Sequence, residues 1–172
     1  MNIIINKATK LNVFDSVLKV IWKIDMPQQS MVTDKPWGGY FTFAPEQTTK
    51  FIDTFFSGVD TSEFLPQLDL PISPKILIVE PGKRLSWQYH HRRAELWRCI
   101  NGPVGVAVSE TDQEGKTINL EKDDHIYLKQ GQRHRLIGLK TYGIVAELWQ
   151  HTDLSQLSDE EDIVRVTDDF GR

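Results

Sequence analysis

The chemistry this sequence advertises most plainly lies in four residues, Gln88, His90, Glu95 and His134. In an extended strand residues two apart face the same side, so Gln88 and His90 project together into whatever the sheet encloses. Glu95 follows across a short turn that would bring the next strand alongside, and His134 comes from a strand much later in the chain. One amide oxygen, two imidazoles and one carboxylate make a borderline nitrogen and oxygen set suited to a divalent ion, zinc first and then Mn, Co, Ni or Fe. Such a set leaves coordination positions open for water or a substrate.

A second group of side chains could handle an anion. Arg84, Arg92, Arg93 and Arg135 lie near the four donors in sequence, and a guanidinium fork suits phosphate through paired hydrogen bonds. Arg93 is the first choice for phosphate contact and Arg135 the second, with ordinary solvated charge as the competing reading for each. Glu147 sits in a late apolar run where an inward carboxylate could act as general base, although a surface or salt-bridged glutamate fits the same pattern. Glu147 and Arg93 are thus the candidate catalytic residues; Arg84, Arg92, Arg135 and Lys75 are the candidate substrate contacts. The Asn101-Gly102-Pro103-Val104-Gly105 stretch reads as a hairpin turn, because no helix follows to supply an anion site.

Positioning these groups requires strands. From Lys75 onward the chain breaks into short β-rich runs: Ile76 to Glu80, Leu85 to His90, Leu96 to Ile100, Val104 to Ser109, Thr117 to Leu120, His125 to Leu128, His134 to Gly138 and Ile144 to Trp149. Turn signals such as Pro81-Gly82, Glu114-Gly115, Gly131 and Gly143 separate them, the texture of a sandwich or barrel. Ile163 to Val166 could pair as a last strand. Upstream, Phe14, Val17, Leu18, Ile21 and Trp22 fall at helical spacing within Asn12 to Ile24, and a second helix is expected from Pro45 to Gly58 with Phe51, Ile52, Phe55 and Phe56 on one face. Core packing is the favoured use of both, with a lid as the other use of the second. Pro27 to Pro36 reads as a linker. The expected division is an N-terminal strand, helix and linker over 1–34 and a barrel domain over 35–172. Trp87, Tyr89 and His91 would face outward, forming an apolar patch covered by the first helix or by a second copy in a homodimer.

The chain of 172 residues suits one hydrophobic core. Its net charge of -4 gives no footprint for nucleic acid. Met1 to Ile5 is apolar but short, and no window reaches the length of a membrane span. The single cysteine, Cys99, has no intrachain partner, which fits a reducing, cytoplasmic setting.

The run Pro81-Gly82-Lys83-Arg84-Leu85-Ser86-Trp87-Gln88-Tyr89-His90-His91-Arg92-Arg93-Ala94-Glu95-Leu96-Trp97, followed by Gly102, resembles the first motif of the cupin-type (type II) mannose-6-phosphate isomerases. Those domains also form the C-terminal part of bifunctional mannose-1-phosphate guanylyltransferases. Lys35-Pro36-Trp37-Gly38-Gly39-Tyr40 is similar to the family's opening motif, Glu161-Asp162-Ile163-Val164-Arg165 through Asp169-Phe170-Gly171-Arg172 to its closing one, and His134-Arg135-Leu136 to its second histidine motif. The resemblance implies an all-β cupin jelly roll and a metal-dependent aldose-ketose isomerase. It implies Gln88, His90, His134 and Glu95 as ligands and mannose 6-phosphate as substrate. A non-catalytic sugar-phosphate binder and an isomerase of another sugar phosphate are the alternatives. The chain departs from the pattern at Arg92 and Leu96, where the family carries histidine, at Asp123 and Lys129, where it carries glycine and proline, and at Trp149, where it carries glutamine.

Overall fold

The computed structural model describes residues 9–171. The strand expected within the first eight residues lies outside them. A helix α1 (Lys10–Lys23) leads into a hairpin of β1 (Ser30–Lys35) and β2 (Gly38–Thr42), then a 3₁₀ turn at Pro45–Gln47 runs into α2 (Thr48–Phe55). Nine strands follow: β3 (Lys75–Val79), β4 (Trp87–Tyr89), β5 (Arg93–Asn101), β6 (Val104–Ser109), β7 (Thr117–Leu120), β8 (His125–Leu128), β9 (Arg133–Gly138), β10 (Gly143–His151) and β11 (Val164–Thr167). They form two antiparallel sheets ordered β1-β2-β3-β10-β5-β8 and β11-β4-β9-β6-β7. Strands β3 to β10 thereby alternate between two four-stranded layers in the order of a jelly roll, the cupin architecture.

The central strands of the six-stranded sheet are buried on both faces, which is why β3 and β10 read as continuous apolar runs instead of alternating ones. Ile76, Ile78, Ile144, Ala146 and Leu148 point outward and pack with Val13, Phe14, Val17 and Ile21 of α1 and Phe51 and Phe55 of α2. Leu77, Val79, Trp97 and Val145 point inward and meet Val106, Leu128 and Leu136 between the sheets. This two-residue alternation carries Glu95 on β5 and Glu147 on β10 to the interior side. Both helices therefore serve the core, and α2 lies on the sheet's outer face, away from the barrel interior. Arg98, on the outward side of β5, donates to the Phe55 and Ser57 carbonyls at 3.1 and 2.9 Å, placing a cation at the C-terminal end of α2. Burial pushes the Cys99 thiol up to about 12, so it packs as a neutral side chain. No helix among the described residues is long and apolar enough to cross a membrane.

Three sequence expectations change. Residues 30–35, read as linker, form β1; its pattern is half-exposed throughout, so an edge strand there shows no apolar alternation. Trp22, placed on the apolar face of α1, is 60% exposed and donates to Gln28 Oε1 at 2.9 Å. The aromatic patch does not form: Trp87 is buried and donates to the Asp112 carbonyl at 2.8 Å, while the Arg133 guanidinium lies 4.1 Å from the Tyr89 ring centre. The β6–β7 turn thus covers Trp87, while Tyr89 stays half-buried and His91 exposed. Phe51 is fully buried, with its ring centre 5.1 Å from that of Phe43 and 4.7 Å from that of Phe55. Phe51→Ala should cost about 3–5 kcal/mol in urea denaturation; a loss under about 1 kcal/mol would contradict a well-packed helix–sheet core.

Candidate functional site

Antiparallel pairing of β4 with β9 sets Gln88 opposite His134, and the turn from β4 to β5 returns Glu95 beside His90. His90 Nε2 lies 3.1 Å from Glu95 Oε1, and His134 Nε2 lies 3.4 Å from Glu95 Oε2. His90, Glu95 and His134 are buried, and their ligand atoms all fall within 4.8 Å of one another. Each imidazole is aimed from behind: Nδ1 of His134 faces the Gln132 carbonyl at 2.9 Å, and Nδ1 of His90 faces the Asp162 carbonyl. Only an N–H can satisfy a carbonyl oxygen, so both rings carry their proton on Nδ1 and turn an Nε2 lone pair inward. His134 Nε2 is buried with no hydrogen-bond partner, an orphaned acceptor beside a carboxylate, and burial pushes the His90 pKa below the ordinary imidazole value. For Glu95, burial pushes upward, but the Arg93 guanidinium beside it counts the other way, and the carboxyl lies well below the usual range. Two imidazole nitrogens and an ionised carboxylate fit a divalent cation.

Gln88 lies on the wall of the same cavity, its amide oxygen accepting from Ser86 Oγ at 2.6 Å. Arg93 is held at the cluster by Glu95 at 2.9 Å and by the Ser158 hydroxyl and Asp159 carbonyl at 3.2 and 2.8 Å, with its guanidinium stacked 3.6 Å from the Trp149 ring centre. The cavity of about 210 Å³ is lined further by Lys35, Trp37, Tyr40, Lys75, Glu147 and Arg165. A water occupies about 30 Å³ of liquid and drug-sized pockets begin near about 300 Å³, so the space suits a small polar ligand. Glu147 accepts from Trp149 Nε1 at 3.1 Å and stands 3.9 Å from Lys75 Nζ, whose main partner is Glu160 at 2.7 Å. Burial, reinforced by the charge of Glu95, pushes the Glu147 carboxyl up to about 7. It can therefore both accept and release a proton near neutrality.

Arg84, Arg92 and Arg135 turn elsewhere. Arg84 forks onto Asp169 at 2.6 and 2.9 Å, Arg135 pairs with Glu114 at 2.8 Å, and Arg92 pairs with Asp159 at 3.3 Å. None of the three lines the cavity.

A family model described as "Mannose-6-phosphate isomerase C-terminal" matches residues 71–168. This chain belongs to that family. The xanthan biosynthesis protein XanB of Xanthomonas campestris pv. campestris is 36% identical over 99 residues, covering 57% of this chain and 19% of that protein. The alginate biosynthesis protein AlgA of Pseudomonas aeruginosa is 35% identical over 98 residues, again 57% of this chain and 19% of that one. The matched region is thus about a fifth of the length of these curated relatives. Among solved structures, the capsular polysaccharide assembling protein CapF from Staphylococcus aureus shares the fold, with a TM-score of 0.52 at 15% identity over 90% of this chain and 37% of that one.

As a member of the mannose-6-phosphate isomerase C-terminal family, the chain places its departures revealingly. Leu96 is buried in the helix–sheet core, and Arg92 faces the C-terminal segment, so neither alters the cavity. Asp123 has φ 75, a left-handed position that suits the family's glycine and that aspartate tolerates. Trp149 does enter the site, under Arg93 and beside Glu147. Residues the sequence reading left without a role are Lys35, Trp37, Tyr40 and Arg165 on the cavity wall, and Asp162 behind His90. All five stand in the opening and closing motifs, which were the available signal. Because the Glu147 pKa is raised on folding, the protonated carboxyl stabilises the fold at low pH, and that contribution fades as pH climbs from about 4.5 through about 7. The stability of Glu147→Gln relative to the parent should therefore rise across this window when unfolding is measured at several pH values in chelator; a flat difference would show that Glu147 is not perturbed.

Proposed function

We propose that this chain is a metal-dependent aldose-ketose isomerase of a sugar phosphate, interconverting mannose 6-phosphate and fructose 6-phosphate. The observation that carries the reading is Glu147, a buried carboxyl poised at about 7 on the wall of a cavity that is also lined by Glu95, the carboxylate member of the His90, Glu95 and His134 cluster. Membership of the mannose-6-phosphate isomerase C-terminal family supports the same class.

His90, Glu95 and His134 would hold the ion and Gln88 would complete the set, with zinc favoured and manganese, cobalt, nickel or iron suited to the same donors. When bound, the ion supplies electrophilic polarisation of the sugar's carbonyl and neighbouring hydroxyl oxygens. Glu147 removes the proton from the carbon beside the carbonyl and returns it to the former carbonyl carbon, while the hydroxyl proton passes from the neighbouring oxygen to the former carbonyl oxygen. The indole N–H of Trp149 holds that carboxylate in place, and Lys75 keeps a positive charge beside it. Arg93 donates to Glu95, fixing the carboxylate's orientation toward the two rings. Trp37, Leu77 and Leu85 wall the cavity, limiting water around the reacting carbons.

The full chain, reloaded separately with each of the five ions, should interconvert the two sugar phosphates in a coupled assay. Glu147→Gln should lower turnover by about 10²–10⁴-fold while leaving metal content unchanged. Turnover of a different sugar phosphate alone would keep the isomerase and change its substrate. Binding without turnover under every loading condition would replace the enzyme with a sugar-phosphate binder.

A further inference from the structure

Every described arginine except Arg165 has an acidic partner: Arg84 with Asp169, Arg92 with Asp159, Arg93 with Glu95, Arg98 with Asp123, Arg133 with Asp112 and Arg135 with Glu114. Arg165 makes no ion pair among the described residues, and it lines the cavity. Lys35 shares both properties. These two come from opposite ends of the chain, Lys35 closing β1 and Arg165 standing on β11 directly across from Gln88. Lys35 is half-buried and Arg165 exposed, so they sit toward the mouth, whereas His90, Glu95 and Glu147 are buried within.

We infer that Lys35 and Arg165 are the anion-binding end of this cavity and take the phosphate of its sugar-phosphate ligand. The inference rests on the proposed function for the sugar but not for the phosphate. Four cationic side chains line the cavity against three carboxylates, in a chain whose overall charge is -4. Lys75 is engaged by Glu160 and Arg93 by Glu95, so the surplus positive charge is that of Lys35 and Arg165. An anion binding there breaks no existing ion pair, whereas recruiting Arg84, Arg92 or Arg135 would strip Asp169, Asp159 or Glu114 of a partner. A guanidinium offers phosphate two parallel N–H donors and the ammonium adds a point charge. Holding the phosphate at the mouth directs the sugar's carbonyl end inward, toward Glu147 and the histidine cluster. Arg165 and Lys35 are then specificity-determining residues, separating phosphorylated from free sugars and contributing binding energy remote from the reacting carbons.

The test compares equilibrium binding of mannose 6-phosphate and of mannose to the metal-loaded full chain by calorimetry, alongside steady-state kinetics. Arg165→Gln and Lys35→Gln should each lower affinity for the phosphorylated sugar by about tenfold or more, the scale of one hydrogen bond to a charged group. Mannose affinity, metal content and melting temperature should stay at parent values. KM should rise with kcat nearly unchanged, and Arg165→Lys should recover part of the loss. Lys116→Gln, an unpaired exposed lysine outside the cavity, should leave all values unchanged. Parent-like phosphate preference in both glutamine variants, or no preference for the phosphorylated sugar in the parent, would overturn the subsite. A phosphate preference that the variants abolish, in a protein that isomerises nothing, would uphold the subsite and sink the isomerase.

Discussion

An ionised carboxylate buried at the centre of a β-barrel is the constraint around which this molecule is arranged. Glu95 is almost wholly out of water, and a buried charge costs several kcal/mol unless it is paired and hydrogen-bonded. It is compensated by Arg93 Nε at 2.9 Å and by the Trp97 indole N–H at 3.1 Å. Arg93 is itself buried, so its remaining N–H groups need acceptors, and the segment after β10 supplies them through Ser158 and Asp159. The same segment brings the Asp162 carbonyl to His90, while the Asp162 carboxylate accepts from the backbone N–H of His91 and Arg92 at 3.0 Å each and from Ser158 Oγ at 2.8 Å. The charge at the centre and the C-terminal strap are therefore one hydrogen-bonded unit.

The outer layer follows from the same geometry. Strands β3, β5 and β10 put Lys75, Glu95 and Glu147 inside, and their other face, Arg98 apart, is largely apolar and must be covered. Helices α1 and α2 provide that cover through Val17, Ile21, Phe51 and Phe55. The β1–β2 hairpin extends the sheet beyond β3, with Gly38 at φ +146 where a Cβ would stand 1.9 Å from the Ile78 carbonyl oxygen. Only glycine permits that approach, and it brings Lys35, Trp37 and Tyr40 to the cavity wall.

Much of this was legible in the residues. Period-two spacing at Gln88 and His90, a turn before Glu95 and a distant His134 pointed to residues of which three gather in one cluster, with Gln88 on the wall of the adjoining cavity. Strands from Lys75 onward emerged because apolar runs and turn residues alternate clearly there. The edge strand β1 stayed hidden because a half-exposed Ser30–Lys35 carries no burial pattern. Arg84, Arg92 and Arg135 misled for a different reason: proximity in sequence to the cluster says nothing about partners, and Asp169, Asp159 and Glu114 lie twenty or more residues away. Asp162 acts on His90 through a backbone carbonyl, a role no side-chain pattern can announce. Lys35 and Arg165 were visible only as parts of motifs, since closure of the barrel is what brings the two ends of the domain together.

The central claim, that His90, Glu95 and His134 form one ligating cluster, is tested most directly by X-ray absorption on the zinc-loaded full chain. The expected spectrum shows one tightly bound ion per chain with two imidazoles in its coordination shell, and His90→Ala and His134→Ala each lose one of them together with most of the affinity. A shell without imidazole scattering, or an ion bound unchanged in both variants, would contradict it.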